Sequence, residues 1–137
     1  MPWSVVRRKL WVEKRRLAEL FQGEVDCNLQ NLSENKLLVS KVFEVAKGAD
    51  QLQLFGEELK RQVLKTYEKV TTINSALVKY QKFRSSAAGD PEYDKKNSEF
   101  QQFLAWYHGG LETSLQNLRS RLIDEMKEPP EPEIMTP

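Results

Sequence analysis

The chain is 137 residues long and contains one cysteine, Cys27, and one histidine, His108. A lone cysteine cannot close an internal disulfide, which points to a reducing compartment. A lone histidine leaves Ser–His–Asp or Cys–His catalysis only His108, and spacing places no carboxylate beside it. A metal site needs three or four clustered ligands, which one Cys and one His cannot supply alone. Neither GxGxxG nor GxxxxGK[ST] occurs, so no phosphate cradle is visible. The expectation is therefore no catalytic residues, no metal, no cofactor and no enzyme.

Apolar runs are short, as in Leu37–Val39. They fall below the ~7 residues of a secretory signal core and the ~18 of a membrane span. A soluble, cytoplasmic protein is expected. Overall charge is also lacking: the net value is +1, which gives no reason to expect a nucleic-acid partner. The distribution is uneven, however. Residues 1–22 carry Arg7, Arg8, Lys9, Lys14, Arg15 and Arg16 against Glu13 and Glu19, a net +4. Residues 124–137 carry five acids against Lys127, a net −4.

What the chain has is charge and helix-forming residues. Charged residues make up 30% and hydrophobic ones 39%, a balance that suits long helices with narrow apolar stripes. Trp3, Val6, Leu10, Leu17 and Leu20 recur at helical spacing. Ser4 can cap and Gly23 can stop a short basic helix over about 4–22. The polar stretch "GEVDCNLQNLSENK" reads as a joint. From Leu38 through Val42, Val45, Ala49, Leu52, Gly56, Leu59, Val63, Thr66, Val70, Ile73 and Leu77 to Tyr80, steps of four and three sustain a heptad seam. Gly48 and Gly56 lie inside it, each costing ~1 kcal/mol relative to alanine. That is little against a seam whose buried side chains contribute ~1.5–3 kcal/mol each. One long helix over about 33–84 is expected, bent near one of those glycines.

"SSAAGDP" breaks the pattern, and Asp90 and Pro91 suit the cap and first position of a last helix over 91–127. Gly109–Gly110 interrupt its seam. The proline-rich tail over 128–137 cannot be helical and is expected to be extended. The prediction is an all-α chain with one helical domain over 1–127. It would form an elongated antiparallel bundle, coiled-coil-like, with two long helices and a short N-terminal basic amphipathic helix.

Two clusters are candidate sites. Trp3, Arg7, Arg8, Trp11, Arg15 and Arg16 fit a membrane-surface or partner-binding helix. Their plainer reading is an apolar face packed on the long helices with solvated charges. Phe103, Trp106, Tyr107 and Leu111 sit in "FLAWYHGGLE", where large aromatics precede a Gly–Gly pair that leaves room for a ligand backbone. Their plainer reading is a helix seam.

The helix "QVLKTYEKVTTINSALVKYQKF", a Ser/Ala-rich break and "YDKKNSEFQQFLAWYHGGLETSLQNL" lie within Gln62 to Leu122. This layout resembles the last two long helices of the V-shaped domain of Bro1/ALIX-family adaptors. There too an aromatic pair and a polar–leucine stretch lie on the final helix, before a proline-rich region. The resemblance implies an all-helical arm that binds short tyrosine–proline motifs of partner proteins in endosomal sorting, with Trp106 at the peptide-contacting aromatic position.

The functional expectation is a non-enzymatic adaptor or scaffold. Its partners would be other proteins, met through helix–helix or short-peptide contacts, in a homo- or hetero-oligomer. The alternative is a peripheral membrane protein whose basic helix docks on anionic lipid.

Overall fold

The computed structural model describes the backbone of residues 2–86 and 89–127, and side chains from residue 5 onward. The predicted extended tail, 128–137, lies outside the described residues. Helix α1 spans Pro2–Ser33, α2 Lys41–Gly48, α3 Glu57–Ser86 and α4 Tyr93–Lys127, with a 3-10 turn at Gln51–Leu54. The described chain is all-α and contains no strand.

The basic N-terminal segment is not a short helix ending at residue 22. It is the first part of a 32-residue helix. Gly23 does not stop that helix, because Phe21 and Val25 on either side are fully buried. Their burial outweighs one glycine's propensity cost. The supposed joint continues the inward face of Phe21 with Glu24, Val25, Asn28 and Leu32, two of them polar where apolar residues are usual. The helix ends at Ser33, and the turn that follows caps it. Asn35 adopts a left-handed φ of 56°, Lys36 N–H donates to the Asn31 carbonyl at 2.9 Å, and Asn35 N–H donates to that of Leu32 at 3.2 Å. This is the Schellman arrangement.

The single rod expected over 33–84 does not form either. From Leu59 to Leu77 the seam is buried as its spacing predicts, with Val63, Thr66, Val70 and Ile73 all inside. Before that it fails: Val45 is 61% exposed, and Ala49 and Gly56 also face solvent. The glycines mark the two ends of the break rather than a bend. Gly48 closes α2, and Gly56 precedes α3. Between them Asp50 takes a left-handed φ of 57° and the chain reverses. The reversal lets Ala46, Leu52 and Phe55 all enter the core, which one straight rod with a single inward stripe could not arrange.

Named contacts fix the directions. Lys14 meets Glu125, Asp26 meets Arg119 and Leu32 meets His108, so α1 and α4 run antiparallel. Lys69 meets Ser114 and Tyr80 meets Asn97, so α3 and α4 do as well. Helices α1 and α3 are thus parallel, and residues 34–56 must carry the chain back between them. That return leg packs along α1, with Val39 beside Asn28, Val42 beside Glu24 and Phe55 against Phe21. The result is an up–down–up–down bundle whose second leg is short and broken. Leu111, Leu115, Leu118 and Leu122 of α4 supply its fully buried spine.

The bundle is staggered. At one end, none of residues 5–16 of α1 is buried, and the core begins at Leu17. At the other end, the α3–α4 hairpin is held by stacked Phe83 and Tyr93, 5.1 Å apart, and by Tyr80 against Phe100 at 5.5 Å. Asp90 bonds the Glu92 N–H at 2.8 Å and the Lys96 ammonium at 3.0 Å. These two donors hold its carboxyl below the usual range.

Candidate protein-interaction site

Helix α4 passes through Gly109–Gly110 without interruption. Upstream of the pair, Phe103, Trp106 and Tyr107 follow i, i+3, i+4 spacing and form one aromatic cluster. Ring centroids lie 6.4 Å apart for Phe103–Trp106, 5.6 Å for Phe103–Tyr107 and 6.0 Å for Trp106–Tyr107. Tyr107 is half-buried and packs on the core. Phe103 is 41% exposed and Trp106 73% exposed. Leu111, grouped with them on sequence grounds, is completely buried among the α4 leucines. It is a core residue and unavailable to a partner, because it lies one turn further along the inward side of the helix.

Phe103 also lines an open groove of ≈ 590 Å³ between α3 and α4. Phe100 lies beside it, Thr72, Ser75, Ala76 and Lys79 form the opposite wall, and Lys96 and Glu99 close the edge. Small residues on α3 keep this wall low, which is why the aromatic side of α4 stands clear. Gly110 follows Trp106 by four positions and Phe103 by seven, so it shares their face. A Cβ added at Gly109 or Gly110 would meet nothing within 4 Å. No intramolecular packing therefore requires either glycine, and both leave the backbone accessible beside the exposed aromatics. The arrangement can take an extended or helical peptide, with rings for apolar side chains and Lys79, Lys96 and Glu99 for polar ones.

The basic cluster lies at the far end of the bundle, beyond Glu125, and does not join this site. Arg8, Arg15 and Arg16 are exposed, whereas Arg7 and Trp11 are half-buried. The Arg15 guanidinium lies 5.5 Å from the Trp11 ring centre, and its Nε is 3.3 Å from Glu19. Trp3 belongs to the first turn of α1, and its side chain lies outside the described residues.

A buried polar network escaped sequence reasoning. Glu24 accepts hydrogen bonds from Val42 N–H at 2.7 Å, Phe43 N–H at 3.3 Å and the Tyr67 hydroxyl at 2.6 Å. It thereby caps α2 from a different helix, while Ser40, in the cap position, makes no side-chain cap bond. Burial, and then the adjoining Glu24 carboxylate, push the Tyr67 phenol well above its ordinary range. Asn28 pairs with both backbone groups of Val39 at 2.7 Å. Asn74 does the same for Leu38, at 2.8 and 2.9 Å. The two amides act as surrogate strand neighbours for an extended segment that has no sheet. The available signal was Glu24 and Asn28 at helical spacing with Phe21, Val25 and Leu32, but it required recognising that the helix continues.

His108 is half-buried, and its Nε2 lies 3.1 Å from the Leu32 carbonyl. A carbonyl only accepts, so Nε2 carries the proton and satisfies an end of α1. Cys27 is exposed on α1 and receives a long contact of 3.7 Å from Asn31. Among the described residues no three His, Cys, Asp or Glu side chains cluster as metal ligands, and no helix is long and apolar enough to cross a membrane.

Neither family models, nor characterised proteins, nor solved structures gave a counterpart.

Proposed function

We propose that this protein is a non-enzymatic helical adaptor that holds protein partners on the Phe103–Trp106–Tyr107 edge of α4. The observation that carries this reading is Trp106, 73% exposed in the middle of a helix and in contact with two further aromatic rings. A large aromatic left in water forfeits burial energy in the free protein and recovers it in a complex. The adjoining groove, with apolar Phe100 and Phe103 beside the small residues of α3, gives a bound peptide somewhere to lie. The V-shaped-domain resemblance adds a ligand class, short tyrosine–proline segments, and a setting in cytoplasmic endosomal or vesicle-sorting assemblies.

Titration of the full chain with short tyrosine–proline peptides tests this reading by Trp106 fluorescence and calorimetry. Binding that Trp106→Ala weakens at least ~30-fold, corresponding to a hot-spot loss of ~2 kcal/mol, is the expected result. Failure of any such peptide to bind, or equal binding by Trp106→Ala with an unchanged thermal midpoint, refutes it.

A further inference from the structure

The outer side of α1 between residues 5 and 16 takes no part in the bundle or in the aromatic edge of α4. Three pairs spaced by seven run along it. Val5 and Val12 form the middle row, Arg8 and Arg15 one flank, and Lys9 and Arg16 the other, and all six side chains are exposed. At 3.6 residues per turn the three rows fall within an arc of about 120°. This arc faces away from the bundle, since the opposite side of the same stretch carries Lys14, paired with the buried Glu125. The helix runs unbroken from this strip into the core at Leu17, which holds the strip on a rigid support.

We propose that this strip is a docking surface for an anionic lipid bilayer, with α1 lying along the membrane surface. The four cations reach headgroups on both flanks, and the two valines enter shallowly between them. Charge complementarity selects this occupant: residues 1–22 carry a net +4. The same charge opposes pairing of two copies through the strip. A partner helix fits poorly. With Val5 and Val12 at the first heptad position, the fourth is held by Arg8 and Arg15, so no apolar seam forms. A nucleic-acid backbone would use the cations and leave the valines idle. The next residue in the valine row is Glu19, which ends the strip where the bundle begins.

The experiment is co-sedimentation of the full chain with vesicles of phosphatidylcholine alone, and with roughly 30 mol % phosphatidylserine added. Partition onto the anionic vesicles alone is expected, falling as salt shortens the Debye length from ~10 Å at 0.1 M to ~3 Å at 1 M. The triple change Arg8→Glu, Lys9→Glu, Arg16→Glu should weaken it by on the order of 100-fold. Val5→Asp with Val12→Asp should also weaken it, while Lys82→Glu on α3 should leave it unchanged. All these side chains are exposed, so an unaltered circular-dichroism melt verifies folding in each variant. Absence of wild-type binding to anionic vesicles overturns the proposal, as does binding indifferent to the triple reversal. Binding of an acidic peptide or of DNA without vesicle binding overturns it too.

Discussion

Replacing Glu24 by alanine is the most informative perturbation of the fold. The carboxylate accepts from three donors, two of them first-turn N–H groups of α2 and one a buried phenol. Losing a helix cap costs ~1 kcal/mol. Stranding the Tyr67 hydroxyl in a site where it is 1% exposed adds about 1–3 kcal/mol of unrecovered desolvation. The cavity left by the side-chain stem adds a smaller increment, for a total of about 2–5 kcal/mol. That is a large fraction of the ~5–15 kcal/mol that holds a typical domain folded. Urea unfolding followed by far-ultraviolet circular dichroism measures the loss. Hydrogen exchange should show early opening of the Val42 and Phe43 amides. A double-mutant cycle with Tyr67→Phe should give a coupling of ~1 kcal/mol or more, because the two side chains share one bond. A loss below ~1 kcal/mol for Glu24→Ala, or strict additivity with Tyr67→Phe, would show that Glu24 does not fasten the return leg.

Tyr67 also sets a pH dependence. Its folded pKa is raised above the unfolded value of ~10, so its contribution is full below pH 10 and declines as pH rises past that point. From pH 9 to pH 11 unfolding free energy should drop by about 1.4 kcal/mol more in the wild type than in Tyr67→Phe; parallel profiles would contradict this. Gly23→Ala and Gly110→Ala should each raise stability by ~0.5–1 kcal/mol, since both positions are helical and a Cβ meets nothing within 4 Å; calorimetric melting decides. Leu59→Ala should cost about 2–5 kcal/mol and Val45→Ala less than ~0.5, although both sit on the same heptad register. Equal costs in urea unfolding would argue for a continuous rod.

The family of helices was legible because apolar spacing of three and four needs no knowledge of neighbours. The seam from Leu59 to Leu77 and Leu111, Leu118 and Leu122 of α4 are buried where that spacing put them. So was the aromatic edge, since large rings beside a glycine pair stand out in any context. Which apolar side chains of that cluster reach solvent was not: Leu111 and Trp106 lie on one helix, and only the positions of α1 and α3 around it bury the first and leave the second bare.

Helix ends were the other limit. Sequence alone determined an all-helical chain with a basic head and an exposed-aromatic candidate. Tertiary structure decided that α1 runs through Gly23 and that the chain turns back between Gly48 and Gly56. Both outcomes depend on burial gained against residues distant in sequence: Phe21 against Phe55 and Tyr67, and Glu24 against the start of α2. Local propensities of ~1 kcal/mol are too small to outweigh such contacts.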